Sequence, residues 1–166
     1  MPSRLLTRVA VAVGAAAVLI AAPAAASADP KDPEPPPLPN VNAFPPISPV
    51  DFTVMNGVWY AFGAPGGLTC IIDKGQNAYG CSGPIPAPPA GAEGANVITA
   101  PSPAEPVFAN SPSPAFAAAG QVKPLPPKSR LSYRNIACAV DGEATICVNS
   151  ATQHGFVLSP AGSFIA

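Results

Sequence analysis

The sequence has few groups suited to nucleophilic, acid–base or phosphate chemistry. It contains one histidine, His154, and charged residues make up only 10% of the chain. The G-x-S-x-G motif of a nucleophilic serine is absent. The glycines Gly63, Gly66 and Gly67 precede a predicted strand, whereas a phosphate loop opens a helix. These absences argue against a serine nucleophile of that type and against a dinucleotide or phosphate-loop site.

Clusters of charge are also missing. The sequence has eight lysines and arginines and nine acidic residues, and two of the basic residues, Arg4 and Arg8, lie near the N-terminus. No run of basic residues follows, which argues against nucleic acid or an anionic membrane surface as partner. The strand-rich blocks contain four carboxylates, three of them at predicted turns, so the acid pair of a glycosidase is not supported: Asp51, Asp73, Asp141 and Glu143.

The four cysteines do not have the C-x2-4-C spacing typical of a zinc site. Cys70 and Cys81, and likewise Cys138 and Cys147, flank short apolar runs separated by turn residues. No metal and no cofactor is therefore predicted.

The sequence begins with a predicted targeting segment at residues 1–28. Arg4 and Arg8 form a basic region, residues 9–22 are apolar or small, and Ala26-Ser27-Ala28 is an A-x-A cleavage site. About 14 apolar residues are fewer than the ~20 that span a bilayer. The pattern predicts cleavage near Ala28, secretion to the extracellular space or cell envelope, and no stable membrane span afterwards. The absence of a cysteine at the cleavage site and of a twin-arginine pair argues against a lipoprotein anchor and against folded export.

Residues 29–50 contain nine of the 25 prolines and predict an extended, polyproline-type spacer. Such a tract serves as a P-x-x-P ligand, as a stalk across a cell envelope, or merely as an unstructured lead-in. Composition does not separate these alternatives.

Two hairpins are predicted around the cysteines. A Gly75-Gln76 loop places Cys70 opposite Cys81, and a Gly142-Glu143 loop, with glycine at the positive-φ position of a type II′ turn, places Cys138 opposite Cys147. Directly opposed strand residues lie within or at the edge of disulfide range. These two pairs are the most economical connectivity, although four cysteines allow three. Disulfides also suit an exported chain.

The predicted fold is all-β: a small disulfide-stapled sandwich or partly open barrel, formed as one domain by residues 51–166. Six to eight short strands with dense turns support it. Residues 84–124, rich in proline and alanine, are predicted as a long irregular excursion, with one possible strand at 96–99 and one helical turn at 115–119.

Two blocks of motifs stand out: Phe62-x-x-Pro65-x-Gly67, Cys70 and Cys81 in the first, and Leu125-Pro126, Leu131, Cys138, Cys147-x-Asn149 and His154-Gly155-Phe156-x-Leu158-Ser159 in the second. They resemble a family of small secreted actinobacterial proteins classed as a domain of unknown function. The resemblance covers about 75 residues, although the Gly67 to Cys70 spacing is one residue short and Pro127-Lys128 replaces an expected aromatic-glycine turn. It implies export by an actinobacterium and no particular activity. The alanine-rich signal that ends in Ala28-Asp29-Pro30 is similar to mycobacterial ones.

No catalytic residue is predicted. The best alternative is a small secreted hydrolase in which His154 works with Ser150 or Ser159 and an acid, Asp141 or Asp73. The other interpretation is that His154 has no catalytic role and belongs to a turn that leads into a strand at Gly155. The two hypotheses separate on geometry, because only catalysis needs the three side chains to converge.

Four residues are candidates for binding. Arg130 and Arg134 alternate outward with Ser132 on one predicted strand, which makes a small cationic strip around Tyr133. Trp59 is either a stacking surface for a ligand or part of the core. The sequence therefore predicts a non-catalytic binding or structural module that meets an unknown protein or glycan of the cell envelope, and the alternative for the strip is a solvated strand face.

Overall fold

The computed structural model describes residues 35–166, and the predicted signal peptide lies outside this range. The described residues form two antiparallel sheets and no α-helix, which confirms the all-β prediction. Short 3₁₀ turns precede the first strand at Val41–Ala43 and Val50–Phe52 and lie between later strands at Met55–Gly57, Pro65–Gly67 and Ala117–Ala119.

The first sheet has six strands in sequential order. They are β1 (Thr53–Val54), β2 (Trp59–Ala64), β3 (Leu68–Asp73), β4 (Ala78–Ser82), β5 (Val97–Pro101) and β6 (Val107–Ala109). The predicted excursion at 84–124 is thus partly regular, because β5 and β6 extend the sheet beyond β4.

The second sheet has five strands, also in sequential order with β7 at one edge. They are β7 (Ser129–Tyr133), β8 (Ile136–Asp141), β9 (Ala144–Asn149), β10 (His154–Leu158) and β11 (Phe164–Ile165). Alternate residues of each strand point to opposite faces, so one face of each sheet is free to pack against the other.

The core lies between the two sheets, which makes the fold a sandwich. Phe62 and Ile72 of the first sheet and Leu131 and Phe156 of the second are fully buried in one cluster. Both cysteine pairs also lie in this cluster, because the cysteines point inward from the middle strands of each sheet.

The predicted disulfides are confirmed. Cys70 pairs with Cys81 and Cys138 with Cys147, and the members of each pair are directly opposed, with Cα atoms 4.0 Å and 4.1 Å apart. The second loop is Gly142-Glu143 as predicted, with Gly142 at φ 61°. The first loop has four residues rather than two, since strand pairing ends at Asp73 and Ala78, but its centre and the register are unchanged.

Proline-rich segments cover the outer faces of both sheets. Leu38, Val41 and Phe44 pack on the second sheet over Ala139 and Ile146. On the first sheet, residues 116–122 pack over Ala61 and Ile71. Residues 35–50 therefore belong to the compact unit, and the folded part does not begin at residue 51 as the spacer prediction assumed. Proline excludes a regular strand there, but it does not prevent side-chain burial.

The two covering segments are also joined to the sheets by main-chain hydrogen bonds. The Arg130 N–H donates to the Pro45 carbonyl, 3.0 Å away, and the Ile47 N–H donates to the Arg130 carbonyl. In the same way Gly63 bonds to the carbonyl of Lys123 and to the N–H of Leu125. Residues 45–47, which precede the first sheet in the sequence, are therefore bonded to the edge strand β7 of the second sheet. Residues 123–125, which lie between β6 and β7 in the sequence, are bonded to β2 of the first sheet.

Tyr79 links the sheets through a buried hydroxyl. Its ring stacks on Phe156 with centroids 5.7 Å apart, and its hydroxyl donates to the His154 carbonyl at 2.9 Å. Burial raises the pKa of Tyr79 to about 12. The folded state therefore favours the neutral phenol, and its contribution to stability is present below pH ~10 and is lost as the pH rises from about 10 to 12.

We expect wild-type protein to lose up to about 3 kcal/mol of unfolding free energy across this interval, at 1.36 kcal/mol for each unit of pKa shift. Tyr79→Phe removes the titrating group, and its stability should fall less between pH 9 and 12. Urea unfolding at both pH values measures this difference. Tyr60→Phe is the control. If Tyr60→Phe reduces the loss of stability between pH 9 and 12 as much as Tyr79→Phe does, the loss does not come from Tyr79.

Candidate functional site

Two residues of strand β7 and one residue of the turn after it line the same groove. Arg130, Ser132 and the turn residue Arg134 all line a groove on the outer face of the second sheet. Leu131 and Tyr133, which alternate with them, point toward the core. Period-two alternation accounts for Arg130 and Ser132, since β7 runs from Ser129 to Tyr133. Arg134 lies beyond the strand in the turn, at φ 51°, so its predicted strand position is wrong.

The groove has a volume of about 440 Å³, within the range of small-ligand sites. Its floor is formed by Ala137 and Val148, which are directly opposed on β8 and β9, and Ser132 of β7, opposite Ala137, lies at its rim. The N-terminal segment 37–42 forms one wall, and the turn residues Asn135, Ser150 and Gln153 lie at one end. Val41 of the covering segment packs in one cluster with Ala137, which is 8% exposed, while Val148 in the same row stays half-buried.

Both charged side chains that line the groove are cationic. Within residues 35–166, the ion pairs are all elsewhere: Lys123 with Asp51, Lys128 with Asp141, and His154 with Glu105. Arg130 and Arg134 have no acidic partner in that part of the chain. Their positive charge is therefore available to an anion.

The N-terminal segment orients Arg130. Its Nη1 donates to Oδ1 of Asn42 at 2.6 Å. The Asn42 N–H in turn donates to Oδ1 of Asn40 at 3.0 Å, which caps the 3₁₀ turn at Val41–Ala43. The buried Nε of Arg130 has no hydrogen-bond partner among the described residues. The guanidinium is thus held in place by one side-chain contact, and other donors remain unused.

An aromatic cluster supports Arg134. The Arg134 guanidinium lies 5.2 Å from the centre of the Tyr133 ring, and Tyr133 packs edge-on against Tyr60. Lys74 lies 4.4 Å from the centre of the Tyr60 ring. Cation–π contacts at exposed sites are worth about 0.5–1 kcal/mol. The Arg134 guanidinium therefore lies against the Tyr133 ring, and Tyr133 itself does not line the groove.

Trp59 lies away from this groove. It packs on the outer face of the first sheet, edge-on to Phe116 with ring centroids 6.2 Å apart. It also lines a second cavity of about 330 Å³ beside Asp73 and Gln76. Asp73 Oδ1 already accepts hydrogen bonds from the N–H groups of Gly75 and Gln76. The structure thus brings together three of the four predicted binding residues and separates Trp59 from them.

The described residues do not assemble a triad around His154. Its Nε2 lies 3.8 Å from a Glu105 oxygen, and its buried Nδ1 has no hydrogen-bond partner in residues 35–166. The Ser150 hydroxyl donates to the Asn135 carbonyl, and the Ser159 hydroxyl accepts from the Ala161 N–H.

The two acids proposed for the triad are also engaged elsewhere. Asp141 pairs with Lys128, while Asp73 caps its own turn. Nor do residues 35–166 contain a group of three metal-ligating side chains.

Sequence analysis missed the groove residues that come from outside β7. Asn40 and Asn42 lie in the predicted spacer, and Gln153 lies in a turn. The Asn40-x-Asn42 pattern in a proline-rich tract is a local capping signal that indicates an ordered turn there. Nothing in the sequence indicates that this turn lies beside Arg130.

None of the described residues forms a helix with the length and apolarity to cross a membrane. No protein-family model matches the chain, and no curated protein or solved structure is found to be similar to it. The resemblance to secreted actinobacterial proteins therefore stays a prediction.

Proposed function

We propose that this chain is a secreted or cell-envelope β-domain protein that binds an anionic ligand and does not catalyse a reaction. The observation that carries the proposal is the groove with Arg130 and Arg134, two cations that have no acidic partner in residues 35–166. Arginine is suited to this role because its planar guanidinium donates two parallel hydrogen bonds to a carboxylate or phosphate.

The rest of the fold supports a rigid binding scaffold. Two disulfides cross-link the middle strands, and the segment that contributes Asn42 is itself attached to β7 by main-chain hydrogen bonds. A preorganised groove loses little conformational entropy on binding. The disulfides also suit an oxidising compartment, and the predicted signal peptide is compatible with export into one.

Binding is tested by NMR titration of isotope-labelled mature protein with glucose 6-phosphate, glucuronate and a hexaglutamate peptide. We expect at least one anionic probe to give saturable shifts at residues 130–135 and 148–153. Arg130→Ala and Arg134→Ala should each weaken binding by about tenfold or more, because a charge-assisted hydrogen bond is worth about 1.5–3 kcal/mol.

Lys123→Ala is the matched control, because it removes one positive charge that already pairs with Asp51. Equal weakening by this variant would show general charge attraction and contradict a specific groove. The absence of saturable shifts with every anionic probe would also overturn the proposal. Ester hydrolysis that is lost in His154→Ala would instead favour the hydrolase hypothesis.

A further inference from the structure

We infer that the ligand of the groove is an acidic saccharide, a sugar that carries a phosphate or a carboxylate. This inference rests on the proposed function and adds the chemistry of the uncharged part of the ligand. It depends on the side chains that surround the two arginines, which are mostly amides, hydroxyls and small apolar groups.

The polar rim of the groove matches the hydroxyl groups of a sugar. A side-chain amide offers both donors and an acceptor, and a hydroxyl can do both, which is also true of each sugar hydroxyl. Within the described residues, the side chains of Ser132 and Asn135 form no hydrogen bond, and Asn42 uses its oxygen but not its amide nitrogen. These groups line the groove next to Arg130 and Arg134.

The floor of the groove matches the C–H face of a sugar ring. Ala137 and Val148 are adjacent in the cross-strand row and both line the groove. Ala137 is buried and Val148 is half-buried, so the apolar surface below the polar rim is small and comes mainly from Val148. A ligand with an apolar face and a polar edge buries the first and hydrogen-bonds through the second. A free inorganic anion would leave this floor and most of the rim without a partner.

Two other classes of anion fit less well. A nucleotide base is held by stacking on aromatic side chains, and none lines the groove among residues 35–166. An acidic peptide in extended form is usually bound by adding a strand to a sheet edge. At the edge strand β7 the main chain of Arg130 is already hydrogen-bonded to Pro45 and Ile47. An acidic saccharide is the class that uses the arginines, the rim and the floor together.

The test compares glucose 6-phosphate and glucuronate with inorganic phosphate, glucose and hexaglutamate by NMR titration of the full mature chain. We expect at least one acidic sugar to bind at least tenfold more tightly than inorganic phosphate, glucose or the peptide. The Ser132→Ala/Asn135→Ala variant should weaken the acidic sugar about fivefold or more and leave the affinity for inorganic phosphate unchanged. Gln76→Ala, in the second cavity, is the control and should change neither affinity.

The outcomes separate this inference from the proposed function. Equal affinity for inorganic phosphate, or tighter binding of hexaglutamate, would overturn the saccharide and leave an anion-binding groove. Loss of saturable binding by every anionic probe would overturn both. The relative affinities of glucose 6-phosphate and glucuronate identify whether phosphate or carboxylate is the preferred anion.

Discussion

Replacing Cys138 and Cys147 together by alanine is expected to destabilise the protein by about 3 kcal/mol, from the entropy of a ~10-residue loop that the disulfide closes in the unfolded chain. Replacing Cys70 and Cys81 should cost a similar amount, since its loop is nearly the same length. Each loss is a large share of the 5–15 kcal/mol that is typical of single domains. Removing both pairs should leave little folded protein at 37 °C.

Urea unfolding monitored by tryptophan fluorescence and circular dichroism measures these losses. Alanine is chosen because all four cysteines are fully buried and serine would bury an extra hydroxyl. Wild-type protein reduced under unfolding conditions is the control and should match the variant that lacks both pairs. An unchanged urea midpoint in either paired variant would show that its disulfide does not constrain the unfolded chain.

Gly155→Ala is expected to destabilise the protein by about 1–3 kcal/mol or more, the range for forcing atoms into a packed site. A methyl group there would lie 2.5 Å from the Cys147 carbonyl oxygen and 2.8 Å from Cδ1 of Leu38. The neighbouring strand cannot move without breaking the β9–β10 pairing, and Leu38 belongs to the segment that covers this sheet.

The first sheet provides a second case and a control. At Gly80 a methyl group would collide with the Ile98 carbonyl and come within 3.1 Å of Phe116, so Gly80→Ala should be destabilised similarly. Gly63 is also in a strand, but its added methyl group would meet Pro124 at 3.6 Å, an ordinary contact. Gly63→Ala should keep or raise the thermal midpoint. If all three variants behave alike, collision of the added methyl group with its close neighbours is not the cause.

The two glycines show how similarly the sheets are built. In each sheet one strand glycine has a carbonyl of the neighbouring strand and an apolar side chain of a covering segment close to it: Ile98 and Phe116 at Gly80 in β4, and Cys147 and Leu38 at Gly155 in β10. The cysteine hairpins also share a Cys-x-x-Asp pattern, Cys70 to Asp73 and Cys138 to Asp141. The repeated pattern is visible in the sequence, although only the fold shows that each copy belongs to a different sheet.

Local patterns predicted the strands and hairpins well. The strands at 136–141 and 144–149 and the disulfide between them follow from alternation and the Gly142-Glu143 turn, since both depend on neighbours within ten residues. The spacer and the excursion were predicted less well. Proline content correctly excludes long regular strands, but burial of Leu38 or Phe116 depends on a sheet formed elsewhere in the chain.

The sequence by itself determined the all-β class, the register of both cysteine hairpins, and the placement of Arg130 and Ser132 on one face of a strand. These properties follow from the two-residue period of a strand and from the chemistry of its turns. Only the tertiary structure decided that Asn40 and Asn42 lie beside Arg130, that Tyr133 supports Arg134, and that Trp59 lies on the other sheet. Contacts between residues about 90 positions apart, such as Asn42 with Arg130, depend on how two sheets and their covering segments pack, and no local pattern encodes them.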